Sequence, residues 1–505
     1  MKYLVGVDEG TTGCRVCLFD ENGNIISSHA CEYSSYFSRP GYVEQDISEI
    51  KESVFSSIRE TIEHSGVNLY DIAGISHSNQ GITMVLLDEY DNPAREKTIG
   101  WQDVRHTEIL PELRKIISDE EYYQIAGMGL GTYNIPIINW LRKYEPNTWQ
   151  HVKRLCSHQD YFLHEYGASG YYIDEGSANF MSMVDVHNNE YNKRLLDLYE
   201  VHQNQLPIVI HEPGNVVGFV TDDISSLTSL PSGCSISLGG LDTNCSSFAA
   251  GADKAGKMVL IVGTAGVSIL ITDHFCTDPD RRITIRSNPG FGNYQQYIMT
   301  NTAASSFRWF RDELCSMEVA TSRLIGCDPY DLMTSMACLS EPGAKGVTAL
   351  TCLQGSHGRL KNENARGTFL GISFASAKAD LAEAILEGIT FEMYDLMLMH
   401  EKLSPIETIR LCGGVAKSSF WCQMFADILQ KPIEITRVPE LGSLGAAMCA
   451  GIGAGIYKDQ NDAISKCVHI VKRYLPNNEK HNKYEAAFRR WKEAYDLLGN
   501  QYYKQ

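Results

Sequence analysis

The chain has 505 residues, 43% hydrophobic and 21% charged, so it is globular and long enough for two cores rather than one. A formal net charge of −18 argues against nucleic acid or anionic membranes as general partners. The apolar runs are too short to cross a bilayer. The opening MKYLVGVDEG does not read as a secretory signal, so the fifteen scattered cysteines read as reduced thiols and a cytoplasmic location is expected.

Lys2 to Asp20 (KYLVGVDEGTTGCRVCLFD) reads as two apolar strands, Tyr3–Val7 and Arg15–Phe19, joined by the polar turn Asp8–Gly13. Glycines there let the backbone approach a ligand and set N–H groups around an anion. Thr11 and Thr12 add hydroxyls, and Asp8 ends its strand as a carboxylate able to hold a hydrated metal ion. An ordinary tight hairpin accounts for this stretch equally well. Cys14 and Cys17 form a C-x-x-C, but strand residues three apart point to opposite faces and no second Cys or His pair is near, so zinc or redox chemistry is not expected there.

A helix is expected near Ile47–His64. Asp71 to Asp88 then reads as strands Ile72–Ser76 and Thr83–Leu87 joined by the elbow Ser78-Asn79-Gln80-Gly81, a place for ligand contacts at a strand end. Trp101-Gln102-Asp103-Val104-Arg105 combines a flat apolar surface with an amide, a carboxylate and a guanidinium, which suits a polyhydroxylated ligand. A buried Trp beside a surface ion pair is the alternative. Residues 107–205 read as mostly helical, with Asp174, Ser177 and Asn179 in a loop-like stretch from Tyr171 to Asp185. Ser235 to Ala250 runs an apolar strand into Gly239-Gly240 and then Asp242, ahead of a small-residue helix. Asp242 is either exposed in a cleft or simply that helix's N-cap.

In the second half, Lys257 to Thr272 (KMVLIVGTAGVSILIT) repeats the strand, Gly-Thr turn, strand pattern. Two such hairpins half a chain apart suit phosphates held between similar domains, and the pairing resembles the actin-like ATPase superfamily. Arg308–Leu314 reads as an amphipathic helix with Trp309 and Phe310 in the core. Gly367–Asp395 reads as a strand and a long helix. Ile409–Leu429 reads as a strand and a helix separated by Gly413-Gly414, and Pro439–Gly455 as a helix of small residues. The tail Tyr484–Tyr503 reads as a polar, aromatic-rich helix. No P-loop sequence occurs, and the G-x-G-x-G runs do not follow a strand as a dinucleotide site requires.

Taken together, these stretches resemble the FGGY carbohydrate kinases over nearly the whole chain. Asp8-x-Gly-Thr-Thr-Gly-x-Arg15 is similar to that family's first phosphate loop and Gly263-Thr264 to its second. Gly413-Gly414-x-Ala-Lys-Ser418 is similar to its adenosine turn. G-x-F-x-G-I from Gly367, with D-L-x-x-A-I-L-E from Asp380, is similar to its C-terminal signature. The resemblance implies an α/β protein of two actin-like (ribonuclease H-like) domains, 1–248 and 249–505, flanking a nucleotide- and sugar-binding cleft. It implies ATP and Mg²⁺ as cosubstrate and cofactor, with Gly10, Thr11, Thr12, Arg15, Gly263, Thr264, Gly413, Gly414 and Ser418 on ATP. Asp8 and Asp242 would serve the metal. Asp242 would be the catalytic base, and Asn79, Gln80, Trp101, Gln102, Asp103 and Thr243 would line the acceptor site with it.

Departures bear on the acceptor. Glycerol kinases carry Arg and Glu where this chain has Gly81 and Ile82, and Gln where it has Thr243, so glycerol is disfavoured. Xylulose kinases usually carry Met-His-Gly in the elbow, which is absent here. Ile137 replaces a usual lysine before Trp140. A small sugar, sugar acid or polyol is expected, with a ketopentose such as xylulose leading. A homodimer is among the assemblies the resemblance allows. An actin-like ATPase and a non-catalytic sugar or nucleotide sensor are the competing readings.

Overall fold

The computed structural model describes residues 1–356, 358, 362 and 364–499. The apolar runs of the opening stretch form β1 (Tyr3–Glu9) and β2 (Gly13–Asp20), paired antiparallel with Asp8 opposite Arg15. β3 (Ile25–Glu32) extends the hairpin. β4 (Ile72–Asn79), β5 (Val216–Phe219) and β6 (Ser235–Leu241) complete a sheet of order β5-β6-β4-β1-β2-β3. β1, β4 and β6 run parallel, so their C-terminal ends share one edge. Register puts Asp8 beside Ser78, Glu9 beside Asn79, and Leu241, the residue before Asp242, beside Asn79.

Both faces of this sheet are covered, which is why β1 and β6 are apolar almost throughout. Val5 and Val7 share a buried core with Ile50, Val54 and Ile58 of the helix Ile47–Glu63, whose first turn is capped by Asp46. The intervening Gly6 faces the helix Leu441–Gly453. A Cβ there would fall 1.9 Å from the Ser443 carbonyl oxygen, and one on Gly445 would fall 2.1 Å from that of Cys245. The run of small residues from Gly442 is therefore a requirement of close packing.

By compactness the chain forms two units. The first comprises Met1–Asp253, Asp273–Gln295 and Glu440–His469; the second comprises Lys254–Thr272, Gln296–Pro439 and the chain from Ile470. This division is not a single cut after residue 248, because Leu441–Gly453 packs into the first unit's sheet.

In the second unit, β7 (Lys257–Val262) and β8 (Gly266–Thr272) form the second hairpin. β9 (Asn293–Thr300, of which the C-terminal part belongs here), β10 (Thr408–Cys412), β11 (Ile433–Thr436) and β12 (Ile470–Tyr474) give the order β9-β8-β7-β10-β11-β12. β7, β10 and β11 are parallel. The arrangement β9-β8-β7-β10-β11 repeats β3-β2-β1-β4-β6, so the likeness of the two hairpins extends to whole sheets, and the fold is the two-domain α/β fold expected. The long helix Lys378–Glu401, buried on nearly all sides, and Ser419–Leu429 pack in this unit.

Several local expectations are corrected. The strand after the elbow, Met84–Leu87, belongs to a separate five-stranded sheet with residues 35–36, 44–45, 98–99 and 154–157. Residues 107–205 are mainly helical, as expected, with short strands only at 154–157, 172–174, 184–185 and 190–191. Tyr171–Asp185 is not a loop: Tyr172–Asp174 is a strand, and Asp174 caps the helix Glu175–Phe180 by accepting from Gly176 and Ser177 N–H. Phe310 is buried, but Trp309 is 39% exposed. The last helix is Asn478–Leu497, and residues 500–505 of the tail lie outside the described residues.

Candidate active site

The shared strand edge in the first unit gathers carboxylates. Asp8 is half-buried and accepts a hydrogen bond from Ser78 Oγ at 2.8 Å. A Cβ on Gly442 would fall 2.4 Å from its carboxyl carbon, so a glycine is needed for the helix to pass. Burial pushes the Asp8 carboxyl up to about 7, reinforced by the negative charge of Asp242 and opposed by the Ser78 hydroxyl. Asp242 begins the helix Asp242–Ala249 and accepts from the Thr243 N–H at 2.6 Å. Burial raises its carboxyl to about 6, while that N–H and the Arg286 guanidinium pull it down. It is therefore the first residue of its helix, half-buried at the strand edge; the N-cap is Leu241, without a side-chain cap bond, so the N-cap reading of Asp242 is corrected.

Arg286 is fully buried. It donates to Thr243 Oγ1 at 3.0 Å and to Gln295 Oε1 at 2.8 Å, and lies 4.7 Å from the centre of the Phe180 ring. No motif marks this arginine in the sequence. Its strand is the only local signal.

The turn Gly10–Gly13 closes on itself through Gly10 N–H to the Gly13 carbonyl at 3.0 Å. Trp101 Nε1 donates to Thr11 Oγ1 at 2.9 Å, which leaves the Thr11 hydroxyl proton to point elsewhere. Trp101, of the second expected substrate motif, thus braces the Gly10–Gly13 turn. Arg15 pairs with Glu440 at 3.4 Å on a partly exposed surface. Glu9, which sequence reasoning passed over, is fully buried beside Asp8 and bonds to Tyr33, Gln80 and His158. His158 lies 149 residues away, beyond any spacing signal.

Other expected acceptor residues divide. Gln102 is exposed. Asn79 and Gln80 are each 1% exposed, with Asn79 Nδ2 on the Gln80 carbonyl and Gln80 Nε2 on Glu9 and Gln45. Asp103 is fully buried; Arg105 grips both its oxygens at 2.8–3.0 Å, and the Val43 N–H adds 2.7 Å. Arg105 also pairs with Glu44 at 2.8 Å and stacks 3.7 Å from the Tyr42 ring centre. The carboxylate of Asp103 is built into this ion network rather than presented at a surface, which is the alternative the sequence left open, moved to the interior.

In the second unit, a cavity of about 520 Å³ brings together Gly263, Thr264, Gly414 and Ser418. That volume is within the range of small-ligand sites, and Phe307, Tyr330 and Trp421 supply flat apolar walls. Gly413 has φ +94°, and a Cβ there would fall 2.4 Å from the Val262 carbonyl oxygen, whereas Gly414 has open space beside it. Ser418 caps the helix Ser419–Leu429. Ala303 and Ala304 N–H groups hold the carbonyls of Thr264 and Gly263 at 2.9 and 2.8 Å, fixing that loop.

Among the described residues no group of three or more His, Cys, Asp or Glu side chains is arranged to hold a metal. Two carboxylates at one edge, Asp8 and Asp242, nevertheless fit Mg²⁺, which takes one or two carboxylates and completes its shell with phosphate oxygens and water.

Comparisons with known proteins bear on the family and the fold. The model for the FGGY family of carbohydrate kinases, N-terminal domain, matches residues 3–249, and that for the C-terminal domain matches residues 258–454. A xylulose kinase of Staphylococcus epidermidis is 27% identical over 488 residues, covering 96% of this chain and 95% of that relative. An autoinducer-2 kinase of Enterobacter sp. is 26% identical over 519 residues, covering 99% and 95%. The solved structure of ligand-bound xylulose kinase from Lactobacillus acidophilus is similar, with a TM-score of 0.88 at 23% identity over 99% of each chain.

Proposed function

The chain belongs to the FGGY family of carbohydrate kinases, and from that premise we propose that it transfers the γ-phosphoryl group of ATP to a hydroxyl of a small sugar, sugar acid or polyol, a ketopentose such as xylulose leading, with Asp242 as general base. The observation that carries this reading is the Asp242 carboxyl, half-buried at the edge shared with Asp8 and raised to about 6. At neutral pH such a group is ionised, yet basic enough to take a hydroxyl proton as the oxygen attacks. The new O–P bond forms, the bond from the γ-phosphorus to the bridging oxygen breaks, and ADP leaves with that electron pair.

Most of the acceleration comes from alignment and charge neutralisation. Adenosine occupies the cavity beside Gly413, Gly414 and Ser418. In the first unit Gly10, Thr11, Thr12 and Arg15, and in the second Gly263 and Thr264, are the groups suited to phosphate oxygens. Mg²⁺, when bound, supplies neutralisation of the phosphate charge, and Asp8 orients it or its waters. Thr243, held by Arg286, and Trp101, held by Thr11, stand with Asn79 and Gln102 as acceptor contacts.

The acceptor preference has local support. A Cβ on Gly81 would meet Leu241 Cδ2 at 2.8 Å, and Ile82 is 7% exposed, so neither position offers the charged groups that hold glycerol in glycerol kinases. Losing two such hydrogen-bonding groups weakens glycerol binding by several kcal/mol, at about 1.5–3 each.

The test is ADP release from Mg·ATP across pentuloses, hexonates, tetritols, hexitols and glycerol, with Asp242→Asn alongside. A compound that raises turnover in the wild type alone is the expected result. Acceptor-independent hydrolysis that persists in Asp242→Asn points instead to an actin-like ATPase, and an equally active variant removes the base assignment. Turnover of glycerol equal to the best sugar refutes the reading of Gly81 and Ile82.

A further inference from the structure

Glu9 lies between Asp8 and Gly10 with none of its surface exposed. A carboxylate there persists only if its oxygens are hydrogen-bonded. Three donors meet it: the Tyr33 hydroxyl at 3.0 Å and Gln80 Nε2 at 2.8 Å on one oxygen, and His158 Nδ1 at 3.0 Å on the other.

Two of these donors, Tyr33 and Gln80, lead back to the loop. The Tyr33 hydroxyl also reaches the Gly10 carbonyl, and the Tyr33 N–H donates to the Thr12 carbonyl at 3.3 Å. Gln80 donates its N–H to the Glu9 carbonyl at 2.6 Å and its side-chain amide to Gln45 Oε1 at 3.0 Å. Gln45 Nε2 in turn donates to the Thr11 carbonyl at 2.8 Å. The carbonyls of Glu9, Gly10, Thr11 and Thr12 are thus all drawn into one buried network. In a trans peptide the next N–H points opposite the carbonyl, so the N–H groups of Thr11, Thr12 and Gly13 are turned away from the network, as an anion-binding loop requires.

We propose that Glu9 is a positioning residue for phosphoryl transfer. With Tyr33, Gln45, Gln80 and His158 it fixes the peptide planes of the loop so that the N–H groups of Thr11, Thr12 and Gly13 meet the outer phosphates of ATP. It also couples that aim to the elbow at Asn79–Gln80. This rests on the phosphate-loop reading of Proposed function and adds a buried residue that does not touch the nucleotide.

The test is calorimetric titration with two probes: Mg·AMP-PNP, which carries β- and γ-phosphates, and AMP, which does not. Glu9→Ala is expected to weaken Mg·AMP-PNP by about tenfold or more while AMP stays within about twofold. Glu9→Gln, whose amide oxygen still accepts from Tyr33 and Gln80, is expected to recover most of that loss. A role confined to folding lowers the active fraction and leaves the ratio of the two affinities unmoved, and that result overturns the proposal. So does an unchanged Mg·AMP-PNP affinity in Glu9→Ala. Where Glu9→Ala does not fold, Tyr33→Phe, which deletes one hydroxyl, is read by the same ratio. A wild type that binds Mg·AMP-PNP no more tightly than AMP refutes the phosphate-loop reading itself, a result distinct from a wild-type preference that survives in the variants.

Discussion

Replacing Asp242 by Asn should make the protein more stable and nearly inactive, and the size of the stability gain should depend on pH. Burial lifts the Asp242 carboxyl from 3.8 to about 6 in the folded chain. A carboxyl whose pKa is higher folded than unfolded keeps a proton in the folded state between those values. Its contribution is therefore fully present below about pH 4 and is lost as pH rises through about 6. Above that, folding carries a cost of about 2–3 kcal/mol, since each unit is worth about 1.4. Asn removes the charge and the cost. Asp8 gains as well, because Asp242 is the nearby negative charge that helps to raise it. Thermal unfolding of wild type and Asp242→Asn from pH 4 to 8 should show curves that converge at pH 4 and separate by roughly 2–5 °C at pH 8, the variant higher. Turnover should fall by about 10²–10⁴-fold, the contribution of a general base. A gap independent of pH, or a variant less stable at pH 8, refutes the claim that the site holds a strained carboxylate.

Other outcomes follow from the same structure. The pH profile of kcat/KM should fall below about pH 6, where Asp242 takes up its proton; a profile flat to pH 5 excludes Asp242 as the base. Gly413→Ala, forced into φ +94° and against the Val262 carbonyl, should lower the melting temperature and weaken Mg·ADP, whereas Gly414→Ala, with open space, should weaken Mg·ADP while leaving the melting temperature unchanged. Asp103→Ala leaves buried Arg105 paired with Glu44 but without its bidentate partner and should cost about 1.5–3 kcal/mol in urea unfolding, with acceptor KM per folded enzyme little changed; a large KM effect without loss of stability restores Asp103 as a substrate contact. Ile82 holds φ +69°, unusual for a β-branched residue, so Ile82→Gly should cost no more than about 1–2 kcal/mol, because relief of strain offsets much of the lost burial.

The fold was legible wherever local pattern and tertiary demand coincide. Tyr3–Val7 and Met258–Val262 are apolar because helices cover both faces of a parallel-centred sheet, and such runs read as strands without ambiguity. The small-residue helix was legible as a helix but not as a member of the first unit, because Gly442 and Gly445 record that something passes close without recording what. Tyr171–Asp185 was misread for a physical reason. Its polar residues are there to cap and to bond, with Asp174 holding the first turn of Glu175–Phe180 and Asn179 holding the Ser287 N–H at 2.8 Å, and a short helix built on caps has no apolar stripe to announce it.

At the site, what sequence revealed were residues whose chemistry has a local frame: an aspartate ending a strand, a threonine in a glycine turn, a glycine pair before a helix. Residues that work by holding those in place have no such frame. Glu9 meets His158 across 149 residues, and Arg286 reaches Thr243 across 43. Conversely, Asp103 looked like a ligand contact because a carboxylate two residues from an arginine has the same composition whether the pair grips a hydroxyl or each other. Arg105 supplies the counter-charge: its Nε and Nη2 take both Asp103 oxygens, and the same Nη2 also donates to Glu44. A charged residue beside a motif is therefore ambiguous until its counter-charge is located. The distinguishing quantity is whether the nearest opposite charge lies within its own unit, as for Asp103, or whether the carboxylate's principal neighbour bears the same charge, as for Asp8 beside Asp242. A like charge beside a buried carboxylate at a strand edge raises that carboxyl, as Asp242 does for Asp8, and costs stability at neutral pH.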